Sequence, residues 1–324
     1  MYVPDFSITN RILKTIAEIE RNIGVIQNIK LLPFSLKILK KESLEKKIYS
    51  LSLMEDMSFS ILDIKRHIDS VSPHLNDSLL NTIDTISNLE DLAKIKTNWS
   101  RRIKLTNEKI AKSKNVFRIR KIPNKTNPDE ILAKLTPIIE WLGSDDAKNT
   151  HPIIASGILL ASLENIQPFE ELSKITNQTL AEIYLLLNNY QVLYNTPFQE
   201  GFVVKTYKYN ELLNYLKESE DFTEWLEFYT DTISTYLNIL REKYQLLERE
   251  AKEKSIPNLE KLTPRQQKLY QYLLDYKFIQ NSDFIKILPD VSEDSILRDL
   301  RSLLDLGLIT KNGKTKSSKY ELKH

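Results

Sequence analysis

Apolar residues recur at three- and four-residue steps through most of the chain, so helices dominate the expected structure. Ile8, Ile12, Leu13, Ile16, Ile19, Ile23 and Ile26 predict a helix over 7–30, with Ser7 as its N-cap. Helices are also expected over 43–53 and 60–69, and over 79–111 with an interruption at Asn98–Ser100. Alternation from Val116 to Pro123 predicts a short edge strand. Asn127-Pro128-Asp129-Glu130 opens a helix that stops at Gly143. His151-Pro152 opens a strongly apolar helix to about Asn165, Gln167-Pro168-Phe169 breaks it, and another runs from near Leu172 to Asn188-Asn189. Amphipathic helices over 209–217 and 222–254 lead to a linker at Ser255-Ile256-Pro257.

Past that linker the elements are shorter and read as a winged helix-turn-helix. Thr263-Pro264 caps a first helix with Leu269, Leu273 and Leu274 on its inner face. Asn281–Ile287 is a second helix and Leu288–Asp290 the turn. Ser292 caps a third helix, with Ile296, Leu300, Leu303 and Leu304 inward and Gly307 at its end. Leu308–Lys311 and Lys319–Leu322 form a hairpin, for which Asn312-Gly313 is a favourable two-residue turn.

Composition narrows the chemistry. Six glycines in 324 residues agree with long helices and few tight turns. The absence of cysteine removes disulfides, thiolate metal sites and cysteine nucleophiles together. The four histidines show no metal-ligand spacing. Net charge is only +2, so nucleic-acid binding requires a local basic patch. One such patch exists in the hairpin, where Lys311, Lys314, Lys316, Lys319 and Lys323 face a single Glu321. Arg298 and Arg301 on the outer side of the third helix could reach phosphates or base edges, while Glu293 and Asp294 at its start oppose DNA or simply complement the helix dipole. The chain starts without a basic, then apolar, leader, and its most apolar stretch, 152–163, is too short to span a bilayer. A cytoplasmic protein without membrane contact is expected.

Two helices joined by a Pro-Phe loop fit the core of any helical protein. The particular string here is more specific. His151-Pro-Ile-Ile, Asn165-Ile-Gln-Pro-Phe169-Glu-Glu and Leu185-Leu-Leu-Asn-Asn-Tyr190 resemble the centre of the Fic family, whose motif is H-P-F-x-x-G-N-G-R-x-x-R. Three further stretches resemble family patterns in the right order: Ile48–Ser60 with Glu55, Ile139-Glu-Trp141-Leu, and Asp221-Phe-Thr-Glu-Trp225-Leu-Glu-Phe228. Together they cover about residues 1–255.

The resemblance implies a nucleotidyl transfer site that has lost most of its chemistry. Gln167 stands where the family has the general-base histidine, and an amide cannot take a proton. Pro168, Phe169 and the magnesium-holding acid, here Glu171, are kept. Leu172, Ser173, Lys174 and Ile175 replace Gly, Asn, Gly and Arg, and Gln178 replaces the second Arg. A diphosphate at a helix N-terminus needs converging backbone N–H groups and close backbone approach, which glycine permits. Each guanidinium lost removes roughly 1.5–3 kcal/mol of charge-assisted hydrogen bonding. In inhibited relatives the Glu of the N-terminal helix pairs with the second motif Arg. Glu55 persists, but that partner position is Gln178, and Glu55 is otherwise a surface or capping carboxylate. Lys174 could still bind one phosphate with Glu171 holding a metal.

The expected fold is therefore mainly α, with a helical N-terminal region over 1–110, a Fic core with a reduced β flap over 111–255, and a winged helix-turn-helix over 256–324. The expected function is an inactive regulatory scaffold with a DNA-binding module and no cofactor. The alternative is a diverged adenylyltransferase that uses ATP and magnesium to modify a protein hydroxyl. DNA, a protein partner and a second copy of the chain are the expected partners.

Overall fold

The structure, a computed structural model, describes residues 2–69, 77–113, 117–123, 125–253, 262–313 and 318–323. The chain forms two compact units, one of Met1–Asn28 and Leu39–Lys243, the other of Ile29–Ile38 and Tyr244–His324. The linker expected at 255–257 lies outside the described residues.

Six helices come first: α1 (Asn10–Asn28), α2 (Pro33–Met54), α3 (Ile61–Ile68), α4 (Asp77–Ser87), α5 (Leu89–Lys94) and α6 (Trp99–Ala111). The break expected near Asn98 is a cap, since the Asn98 side chain accepts from the Arg101 amide at 2.9 Å. Ser60 and Asp63 form a capping box on α3. Besides a break at Asn88 between α4 and α5, two helix starts differ from expectation. Helix α1 starts at Asn10, and its capping hydroxyl is Thr9, which accepts from Ile12 N at 3.2 Å. Ser7 instead donates its amide to Thr223 Oγ1. Helix α2 starts ten residues before the expected Ser43, and in that added part only Leu39 is buried, too little to show an apolar period.

Helices α7 (Ile131–Leu142), α8 (Asp145–Asn149), α9 (Pro152–Ile166) and α10 (Ser173–Leu187) follow, then α11 (Gln191–Tyr194), α12 (Gln199–Val204), α13 (Thr206–Ser219) and α14 (Thr223–Glu253). The centre of the first unit is the α9–α10 pair. Both helices are buried on nearly every side, so neither shows a polar stripe. Gly157 permits close passage of α14: a Cβ there would lie 2.8 Å from the Tyr229 ring and 2.9 Å from Leu226. Trp225 Nε1 donates to the Gly157 carbonyl at 2.8 Å, and Ser156 Oγ reaches both the Ala181 carbonyl and Tyr229 Oη at 3.0 Å. Helix α1 runs beside α14 through Thr15–Thr230 and Asn22–Asn238 hydrogen bonds at 2.8 and 3.0 Å.

A buried ion pair joins α2 to α10. Lys47 Nζ donates to Glu182 Oε2 and to the Tyr194 carbonyl, each at 2.7 Å, and Gln199 Nε2 donates to the other Glu182 oxygen. Burial pushes the Glu182 carboxyl up, and the Lys47 ammonium pulls it back.

In the second unit α15 (Pro264–Tyr276), α16 (Phe284–Ile287) and α17 (Glu293–Asp305) pack on a three-stranded antiparallel sheet in the order β1 (Phe278–Ile279), β3 (Lys319–Leu322), β2 (Ile309–Asn312). Its core holds Leu269, Leu273, Phe284, Ile296, Leu300 and Leu303, with Ile279 and Tyr320 from the sheet. Thr263 caps α15 as expected, and Gly307 ends the α17 turn at a φ of 71°. Strand β1 has no counterpart in the sequence expectation, since two residues are too few to show alternation. The two-residue turn is also corrected. Asn312 pairs with Lys319, so Gly313 begins a longer loop, in which Lys314 and Lys316 lie outside the described residues.

Candidate functional site

The loop between α9 and α10 starts and ends with a left-handed residue. Gln167 has a φ of 44° and Leu172 a φ of 52°. For residues with a Cβ this conformation costs roughly 1–2 kcal/mol each. The loop therefore keeps, at Leu172, a backbone shape suited to the glycine of the motif it resembles.

Glu55, just past the end of α2, supplies the counter-charge at the start of α10. Its Oε2 accepts from the Ile175 amide at 3.1 Å, and the Lys174 and Ser173 amides also point to the carboxylate. Three converging N–H groups at the positive end of a 15-residue helix form an anion cradle, and the chain's own carboxylate fills it. Burial pushes the Glu55 carboxyl up, opposed by these amides and by the Lys174 ammonium. Lys174 Nζ also lies 3.6 Å from Asp56.

The side chains at these loop positions are used for packing. Leu172 and Ile175 are buried against Ile48, Leu51, Ile64 and Ile110 of α2, α3 and α6. Gln178 is buried on α10 and its Nε2 donates to Tyr209 Oη at 3.3 Å, so Glu55 and Gln178 each have other partners. Ser173 is buried, and Glu171 is exposed. Asn107, from α6, holds the loop by donating to the Glu171 carbonyl and to Thr176 Oγ1, both at 3.0 Å. No group of three His, Asp or Glu side chains suited to a metal ion forms among the described residues.

The segment expected as a flap strand is an isolated bridge between Phe117 and Phe169. Arg118 explains the difference. Its amide donates to the Pro168 carbonyl at 2.8 Å, and its buried guanidinium donates to the carbonyls of Gln167, Arg120, Thr126 and Ile166. Ile119, the apolar neighbour, faces outward and is 86% exposed. Glu170 takes the next donor, the Ile119 amide, at 3.1 Å, and pairs with Arg120 at 3.6 Å. The Arg118, Ile119 and Arg120 amides are thus taken by the loop and not free to pair with an incoming strand.

Beneath the loop Glu164 is fully buried and accepts from Asn177 Nδ2 at 3.2 Å. Burial raises its carboxyl to about 7. Sequence reasoning missed Glu164, Asn107 and Arg118. An acid inside an otherwise apolar helix was the available signal for the first, and nothing local marks the other two.

In the second unit Arg298, Arg301, Lys311 and Lys319 are all exposed. Lys319 Nζ lies 4.5 Å from the centre of the Phe278 ring, and Lys311 Nζ lies 5.5 Å from that of Tyr320. Glu293 is engaged by Asn281 Nδ2 at 2.7 Å, which joins the start of α17 to the segment before α16.

A buried helix pair joined by an anion-cradle loop, with a carboxylate from an earlier helix seated on that cradle, belongs to a mainly α protein of the Fic fold. Solved structures carry that statement. A Fic family protein from Desulfovibrio desulfuricans G20 superposes with a TM-score of 0.64 at 17% identity, covering 99% of this chain and 98% of that one. Fic-1 from C. elegans gives a TM-score of 0.56 at 12% identity, over 74% and 73% of the two chains. A Fic domain containing signaling protein from Bacteroides thetaiotaomicron VPI-5482 gives 0.52 at 14% identity, over 76% of this chain and all of that one. By sequence the chain matches no protein-family model and no curated protein. The likeness is one of fold. No helix among the described residues is long and apolar enough to cross a membrane.

Proposed function

We propose that this Fic-fold protein has lost nucleotidyl transfer and acts as a regulatory scaffold with a DNA-binding winged helix. The observation that carries the first half is the occupied cradle. The Glu55 carboxylate takes the α10 amides that a phosphate would need, and Leu172 and Ile175 fill a hydrophobic core where the resemblance calls for Gly and Arg. Gln167 supplies no base, and Gln178 is committed to Tyr209. Incubation with labelled ATP and magnesium is expected to leave the chain and candidate proteins unmodified. Incorporation that Glu171→Ala abolishes would establish the alternative, a diverged adenylyltransferase.

The second half rests on the exposed cations of α17 and the β2–β3 hairpin, Arg298, Arg301, Lys311 and Lys319. The Asn281–Glu293 hydrogen bond gives one of the two acids at the α17 N-terminus a structural task, which weakens the objection to DNA. Fluorescence anisotropy of the full chain with duplex DNA at low salt is the test. A failure to bind while protein partners are captured would make the second unit a protein-docking module.

A further inference from the structure

A cavity of about 720 Å³ opens in the first unit, and none of residues 167–178 lines it. Its volume falls within the roughly 300–1,000 Å³ of small-molecule sites. The floor is apolar and buried, formed by Ile138, Ile166, Leu216 and Phe222, and Pro137 and Ala133 continue it towards the rim. Tyr2 and Ser162 also line it, but their side chains hydrogen-bond to each other. Some of the other polar lining side chains have no such partner among the described residues, Asn165 and Lys125 among them. Asn165 Oδ1 is buried without a hydrogen bond, and the Lys125 ammonium makes neither a hydrogen bond nor an ion pair.

Charge in the cavity is arranged by depth. Lys134, Lys217, Asp5, Glu130 and Glu220 are exposed, and Glu130 already accepts from Asn127 Nδ2 at 3.3 Å. Lys125 alone among the charged lining residues is partly buried. Loss of water and the neighbouring Lys217 push its ammonium below the usual lysine range, against the pull of Glu164. An anion at this position would restore counter-charge to a cation that burial and repulsion disfavour.

We propose that the cavity binds a small organic anion, with its apolar body on the Ile138–Phe222 floor, its carboxylate or phosphate at Lys125, and a hydrogen-bond donor at Asn165. The site shares no lining residue with the motif loop, so it stands or falls separately from the loss of nucleotidyl transfer. Calorimetric titration of the full chain with 4-hydroxyphenylacetate, and with its uncharged amide, is the test. The acid is expected to bind one site per chain about tenfold more tightly than the amide, the lower end of a charge-assisted hydrogen bond. Lys125→Met should remove that preference and leave the amide unaffected. Ala133→Trp, at the exposed rim, should exclude both ligands without touching a charge, and it decides the question if Lys125→Met fails to fold. Equal affinity for acid and amide, wild-type acid binding in either variant, or no saturable binding at millimolar acid would overturn the proposal.

Discussion

Glu164 gives the sharpest test of the packing beneath the loop. Its carboxyl is fully buried, accepts from Asn177 Nδ2 and titrates at about 7 in place of 4.5. The folded chain therefore binds this proton more tightly than the unfolded chain. For an acid raised in this way, stability is full below the unfolded value, falls as pH rises from 4.5 to about 7, and is level above that. At about 1.36 kcal/mol per pH unit the cost at about pH 8 is on the order of 3 kcal/mol. Glu164→Gln keeps the shape and can still accept from Asn177, but carries no charge. Thermal unfolding of the full chain should show the variant several degrees more stable than wild type at about pH 8, and nearly equal at about pH 4.5. A variant that is destabilised at the higher pH would refute the reasoning, because the ionised carboxylate would then be contributing more than its burial costs.

Three other outcomes follow from particular side chains. Glu55→Ala leaves the Ser173, Lys174 and Ile175 amides without their acceptor and should cost about 1 kcal/mol in thermal unfolding, as for removal of a helix cap, while labelled-ATP assays still show no transfer. Lys47→Ala strands the buried Glu182 carboxylate and should cost about 3–5 kcal/mol, whereas replacing both partners with apolar residues of similar volume should cost much less by the same measurement. Lys311→Ala with Lys319→Ala should weaken duplex binding on all sequences and flatten the salt dependence by a log–log slope of about 0.9 for each phosphate no longer neutralised, while Arg298→Ala should relax sequence preference if that side chain reads a base.

The residues already determine much of this protein when read along the chain. Periodicity located most helices, because 3.6-residue spacing acts within one or two turns, as does a local cap such as Thr263. The fold resemblance was legible in short strings, and residue identity alone decides that the Gln167 side chain cannot take a proton. The early start of α2 was not legible because only Leu39 is buried before Ser43, and strand β1 was not because two residues show no alternation. Only the tertiary structure decided where the polar groups around the loop went. Glu55 lies 120 residues from Ile175, and it meets the α10 amides because α2 and α10 pack together, not because of any local pattern. Arg118 reads as a strand residue, yet its guanidinium turns inward, where its donors satisfy carbonyls that the loop would otherwise bury unpaired. Such partnerships are set by desolvation and geometry between elements far apart in sequence, and neither is written in the neighbouring residues.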